Sequence, residues 1–261
     1  MRRRKFITLL GCAAAAWPLA ARAQQPTGTR KLGLLHPGES TTVSARIAAI
    51  REGLNGPNNQ RDSGIELIVR LADGDLSRLP ALATDLVNNR VDAIVAVAPA
   101  ALQAAASATT SIPIIAIDLE TDPVASGLVA SLARPGRNVS GVFLDFPEFS
   151  AKCLQLLIES VPTLKGVGVL WDPSTGSLQR QAVEAAAQGF GVSAQVLEAR
   201  RAADIAEAFY TVDRSRIQGV LMLSSPLIAG SPQMIADLAM RRNIPTIALF
   251  PEIARAGGLL A

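Results

Sequence analysis

From residue 31 onward, short apolar runs alternate with longer stretches in which apolar residues recur every three or four positions. The short runs predict strands at 31–35, 65–71, 93–97 and 114–117. The longer patterns predict helices at 42–55, 79–89, 100–108 and 124–132. The alternation then restarts, with strands at 166–170, 193–197, 219–223 and 246–249 and helices at 179–190, 203–212 and 232–243. The strand runs are continuously apolar rather than alternating with polar residues, as expected of parallel strands covered on both faces. Strand–helix alternation of this kind predicts an α/β fold built from doubly wound parallel sheets.

The restart is visible in the residues themselves. Leu32-Gly33-Leu34-Leu35-His36-Pro37 resembles Val167-Gly168-Val169-Leu170-Trp171-Asp172-Pro173. Val91-Asp92 and the strand after it resemble Ile217-Gln218 and its strand. Ser111-Ile112-Pro113-Ile114 resembles Asn243-Ile244-Pro245-Thr246. Three matches in the same order, at nearly the same offset, predict two similar lobes, each large enough for its own core. The Gly- and Pro-containing segment 135–149 is the expected crossing between them.

Before the first strand lies a different pattern. Arg2-Arg3-Arg4-Lys5 precedes an apolar run from Phe6 to Ala21, and Ala21-Arg22-Ala23 follows. Basic, apolar, then small-x-small is an export signal, with cleavage expected after Ala23 and a periplasmic mature protein. Arg3-Arg4-Lys5-Phe6 further fits a twin-arginine signal, with an ordinary secretory signal as the alternative. Leu9-Leu10-Gly11-Cys12 has too little apolar sequence before it for a lipid anchor. The signal also changes the charge. The whole chain is +3, but removing residues 1–23 leaves 20 basic against 22 acidic residues, about −2. Arg200-Arg201 and Arg241-Arg242 are isolated pairs without aromatic interleaving and read as solvated, so nucleic acid is not an expected partner.

Metal and redox chemistry find little support. The chain has one His and two Cys, with no His-x-x-x-His spacing, which argues against a conventional zinc or haem site. Cys153 stands alone after the signal, in an apolar helical stretch, and reads as a core residue. No cofactor is expected. Hydrolysis would need a Gly-x-Ser-x-Gly elbow or a His with a nucleophile beside it, and neither is present. Gly166-x-Gly168 is half of a dinucleotide loop, and the trio Asp118, Glu120 and Asp122 reads as a solvated loop. An enzyme is not expected, although a secreted hydrolase-like enzyme and a ligand-sensing protein of the same fold are the alternatives.

Two facing α/β lobes place a cleft beyond the carboxyl ends of their strands. Those ends repeat one device: His36-Pro37, Ala98-Pro99, Asp122-Pro123, Asp172-Pro173, Ser225-Pro226 and Phe250-Pro251. Proline fixes φ and suits the first helical position, which makes these rigid turns, with Asp122 an expected helix cap.

Asp122-Pro123-Val124-Ala125-Ser126-Gly127-Leu128-Val129, continuing through Ala133-Arg134-Pro135-Gly136 to Asn138-Val139-Ser140-Gly141, resembles the signature of ABC transporter substrate-binding proteins of the tryptophan/tyrosine-type subgroup. Ile112-Pro113-Ile114, Val161-Pro162 and Ala256-Gly257-Gly258-Leu259 fit the same family; Arg137 stands where members usually carry a second glycine. The resemblance implies a type I periplasmic-binding fold that closes on a small solute, an amino acid or similar, and presents it to an inner-membrane permease. It implies a monomer with a lobe at 24–145 and a lobe at 146–256, and it makes 257–261 the start of a third crossing. Because the family continues beyond that point, C-terminal truncation is expected, with the first lobe short of a strand and a helix.

For an amino-acid ligand the candidates follow from charge and position. The backbone at Ala100 and Ala101, with Ser224 and Ser225 opposite, would hold a carboxylate. Asp118, then Asp172 and Glu252, would accept from an ammonium. Trp171 and His36, equivalent in the two repeats, would form the apolar wall. Each has a structural alternative: the serines as helix caps, Asp118 as a turn cap, Trp171 as packing.

Overall fold

The computed structural model describes residues 29–55, 64–118, 120–142 and 146–261. The export signal expected at 1–23, with its cleavage site, lies outside them. The described residues form two parallel sheets. The first has the order β2-β1-β3-β4-β5, from β1 (Arg30–His36), β2 (Ile65–Leu71), β3 (Ala93–Val97), β4 (Ile114–Ile117) and β5 (Val139–Val142). The second has the order β7-β6-β8-β9, from β6 (Gly166–Trp171), β7 (Ser193–Glu198), β8 (Gly219–Met222) and β9 (Thr246–Ala248). The shared order, second-first-third-fourth, makes the internal repeat a structural one.

The helices of the first lobe are α1 (Ser40–Asn55), α2 (Leu79–Asn88) and α3 (Ala98–Ala108). Those of the second are α4 (Phe146–Ser160), α5 (Leu178–Phe190), α6 (Ala202–Thr211), α7 (Pro226–Ala229), α8 (Pro232–Arg242) and α9 (Pro251–Arg255). The apolar runs are most fully buried in the strands at the middle of the second sheet: β6 reads buried over its first five residues and β8 over all four, whereas β2 and β7 at the sheet edges are mostly half-buried or exposed. The repeat extends to the strand starts. Asp92 accepts from the Lys31 N–H at 2.7 Å, and Gln218, its counterpart, accepts from the Lys165 and Gly166 N–H groups at 2.9 Å each. Each side chain satisfies backbone donors where the first strand of its lobe begins.

Three expectations are corrected. The helix expected at 124–132 does not form. Asp122 caps the N–H groups of Val124 and Ala125, Ser126 and Gly127 close a single turn, and Gly127 then takes φ +72°. The left-handed residue ends the turn before a second can follow. Segment 135–149 is more than a crossing, since it contains β5 and the start of α4. Gly141 explains why β5 pairs so closely: a Cβ there would stand 2.0 Å from the Ala116 carbonyl oxygen. Asn138, just before β5, donates to the Thr109 and Ile112 carbonyls at 3.2 and 2.8 Å. The signature motif of 122–141 therefore shapes the outer part of the first sheet. Third, the Asp118–Asp122 loop is not solvated, because Asp118 and Glu120 are both buried.

Residues 257–261 run beside β9. Leu260 bridges Ile247, with its N–H donating to the Thr246 carbonyl at 3.1 Å. Cys153 is half-buried on α4 against the second lobe's core, and burial raises its thiol pKa, which disfavours the reactive thiolate.

Candidate solute-binding cleft

Both sheets order their strands with a switch between the first and third of each lobe, where connections leave in opposite directions and open a crevice at the strand carboxyl ends. The two crevices form one cleft of about 840 Å³. Three pairs of equivalent turns line it. Pro37-Gly38-Glu39 after β1 corresponds to Asp172–Thr175 after β6. Asp73–Leu76 after β2 corresponds to Arg200-Arg201-Ala202 after β7. Ala98-Pro99-Ala100 after β3 corresponds to Pro226-Leu227 after β8, joined by the start of α8 through Met234.

The cleft is apolar at several proline, leucine and methionine positions and charged at its rim, and none of its described lining residues is aromatic. The charge is divided between lobes. Glu39, Asp73 and Asp75 come from the first, while Arg200 and Arg201 come from the second along with Asp172. Asp73 pairs with Arg78 at 2.8 Å. Asp75 accepts from the Ser77 hydroxyl and N–H, which lower its pKa. Arg200 pairs with Glu198 and Arg201 with Asp204, each at 2.8 Å. Asp204 also takes the Arg200 and Arg201 N–H groups, so its pKa is lowered, first by the Arg200 backbone donor.

Helix starts add positive potential. α3, α6 and α8 each begin at the cleft, at Ala98, Ala202 and Pro232, and first-turn N–H groups have no intrahelical acceptor. Ala98 has φ +68°, an uncommon conformation for a residue with a Cβ, at the point where β3 turns into α3.

Of the sequence candidates, Ala100 and Asp172 line the cleft. Ala101, one residue on, is fully buried in the first lobe's core. Asp172 is buried and accepts from the Ser174 N–H at 2.9 Å, capping its turn. Asp118 accepts from the N–H groups of Glu120 and Thr121 at 3.2 and 3.1 Å and from the Thr121 hydroxyl, so it serves as a turn cap. Trp171 packs on the second lobe's own core. Its indole N–H donates to the Gly176 carbonyl at 2.8 Å, and Arg180 lies 4.9 Å over its ring. Ser225 caps α7 through the Ile228 N–H at 3.0 Å. Ser224, Ser225 and Glu252 border a second recess of about 20 Å³, room for one water at most.

His36 lies buried beneath the Pro37–Gly38 turn. Its Nδ1 accepts from the Gly38 N–H at 2.9 Å, so Nε2 carries the proton of the neutral ring, and Nε2 has no partner among the described residues. Burial, reinforced by the Arg46 charge, lowers its pKa to about 4.

Gln179 escaped the sequence reading, and Glu120 entered it only as part of a loop expected to be solvated. Gln179, on α5, is 1% exposed and brackets the Ser224 peptide: its Oε1 accepts the Ser224 N–H at 3.0 Å and its Nε2 donates to the Ser224 carbonyl at 3.2 Å. Glu120 accepts from the Ser224 hydroxyl at 2.9 Å, across the two lobes. A glutamine in an amphipathic helix and a glutamate in a loop both read as surface residues, and no local pattern marks them otherwise. Among the described residues no group of three His, Cys, Asp or Glu side chains could hold a metal ion, and no helix is long and apolar enough to cross a membrane.

The sequence profile of the ABC transporter substrate binding protein family matches residues 34–261. The chain belongs to that family. A tyrosine-binding protein of Clostridioides difficile is 30% identical over 169 residues, which are 64% of this chain and 48% of that protein. The chain thus matches about half the length of that relative. An ABC domain from Streptococcus pneumonia, solved in complex with L-Trp, superposes with a TM-score of 0.77 at 24% identity, covering 88% of this chain and 77% of that one. A substrate-binding protein with adhesive properties from Clostridium difficile, in a ligand-free open form, gives a TM-score of 0.56 at 25% identity with the same coverage. The family member described here has the type I periplasmic binding fold, two α/β lobes with parallel sheets.

Proposed function

We propose that this protein is the extracytoplasmic solute-binding component of an ABC importer and holds an amino acid in the cleft between its lobes. The observation that carries the reading is the cleft itself, with both lobes contributing equivalent turns to one space of about 840 Å³. A solute that touches both sets of turns favours their approach, which is how two-lobed binding proteins close. A helix start and a carboxylate facing one another suit a zwitterion: carboxylate toward the first turn of α3 at Ala100, ammonium toward Asp172. The tyrosine-binding relative and the L-Trp complex support an aromatic amino acid, bounded here by proline, leucine and methionine walls. His36, Ala101, Asp118, Trp171, Ser224, Ser225 and Glu252 act from behind this surface.

The protein works as a monomer, with lobes at 24–145 and 146–256, delivers its solute to an inner-membrane permease and performs no catalysis. It reaches the periplasm through a twin-arginine signal cleaved after Ala23. Thermal-shift titration of the chain from Gln24 with the twenty amino acids tests the solute claim. A bound amino acid raises the melting temperature with concentration, since it binds only the folded state. A flat response to all twenty at millimolar concentration refutes it. Replacing Arg3 and Arg4 by Lys tests the route: unchanged export in that variant rules out twin-arginine transport.

A further inference from the structure

The lobes also meet through a bond between residues that do not line the cleft. Glu120, at the end of the Asp118 turn in the first lobe, is 6% exposed, and Ser224, after β8 in the second, is also 6% exposed. The Ser224 hydroxyl donates to Glu120 Oε1 at 2.9 Å, joining positions 104 residues apart. Each end is held by a separate buried group of its own lobe. Asp118 fixes the backbone at Glu120 and Thr121, and Gln179 grips the Ser224 peptide from both sides. The lobes also lie close beside it, near enough that a Cβ added at Gly176 would reach within 3.8 Å of the Thr121 methyl.

We propose that Glu120 and Ser224 are a positioning pair, a latch that sets the resting separation of the two lobes and keeps them poised to close. The bond is shielded from water at both ends, so it is stronger than a surface contact. Parting the lobes at this point would break it and expose a carboxylate and a hydroxyl that are both pre-placed. A solute then binds a protein already near its closed geometry. Losing the latch lowers the fraction of molecules in that geometry and weakens apparent affinity in proportion. The affinity part of this inference rests on the solute-binding reading; the lobe-separation part does not.

The test is a distance measurement on solute-free protein. Spin labels at Thr84→Cys on α2 and Glu207→Cys on α6, both exposed positions, in a Cys153→Ser background report lobe separation. The parent should give a narrow distribution. Ser224→Ala and Glu120→Ala should each broaden it and shift it to longer distance, while Ser224→Thr, which keeps the hydroxyl, should restore the parent distribution. With L-tyrosine and L-tryptophan as probes, Ser224→Ala should bind about tenfold more weakly, the scale of one lost buried hydrogen bond. Distributions for Ser224→Ala and Glu120→Ala that superimpose on the parent overturn the latch. If the parent binds neither probe, the amino-acid reading fails and the distances still decide the latch.

Discussion

Ile115 and Ile247 occupy the same place in the two repeats, the middle of the fourth strand of each lobe, yet Ile115 is 43% exposed and Ile247 is 1% exposed. The difference belongs to the sheets. In the second lobe, apolar clusters cover both faces, one centred on Phe209, Ile235 and Ile253 and the other on Leu154, Val169 and Ile247. In the first lobe one face is well covered, around Leu86, Leu102 and Ile114. On the other, among the described residues, the buried cluster is small: Leu34 and Val95 of the sheet against Val43 and Ile47 of α1, with Leu32, Val69 and Ile117 partly buried around them. Beyond α1, Ile115 and Val142 remain exposed among the described residues. Two lobes with the same strand order and the same turn chemistry can therefore differ widely in stability, because burial of both faces supplies most of the driving force.

The sharpest way to break this comparison is the matched pair Ile247→Ala and Ile115→Ala. Ile247→Ala should cost about 2–5 kcal/mol in urea unfolding, as a large-to-small change in a packed core, and Ile115→Ala less than about 1 kcal/mol. Trp171 is the one tryptophan after the expected cleavage site, so its fluorescence follows the second lobe, while far-UV circular dichroism follows both. In the parent the dichroism transition should begin at lower urea than the fluorescence transition. Coincident transitions and equal costs for the two alanine variants would show that the lobes are equally stable.

A pH titration gives the next effect. His36 titrates near pH 4 folded against about 6.5 unfolded, so the unfolded chain binds more protons between those values. Stability present above pH 6.5 is lost as pH falls toward 4, on the order of 3 kcal/mol at the low end. The second lobe carries Trp171 at this position and has no such term. His36→Gln should flatten the acid limb of the first lobe's unfolding curve without changing that of the second. An acid limb that is unchanged in His36→Gln removes His36 as its cause.

The smallest expected effect is a likeness rather than a difference. Asp92→Ala and Gln218→Ala each remove the side chain that accepts backbone donors at the start of a lobe's first strand. Each should cost about 1 kcal/mol, read locally by hydrogen exchange at Lys31 and at Lys165 and Gly166. A large cost in only one lobe would mean that the repeat is not mechanically equivalent there.

The strands were legible because a continuous apolar run has few other places to go. The repeat was legible because its matched residues, such as Val91-Asp92 and Ile217-Gln218, do the same backbone work in both lobes. Local pattern failed where a single backbone state overrode it. Val124, Leu128 and Leu132 have helical spacing, but Gly127 in a left-handed conformation stops the helix after one turn. It also failed at β5, where Val139–Val142 looks like a glycine-containing linker until Gly141 is placed against Ala116.

The cleft shows the same division more strictly. Sequence alone determined that strand ends and proline turns would gather at one place, since parallel strands with short connections put all their carboxyl ends on one side. It could not determine which side chains at those ends look inward. Trp171 and Asp172 are neighbours, and one packs on the second lobe's core while the other lines the cleft, because consecutive residues of an extended chain point to opposite sides. Glu120, Ser224 and Gln179 lie far apart in the chain and carry no shared local signal. Only the docking of one lobe against the other made them a buried network.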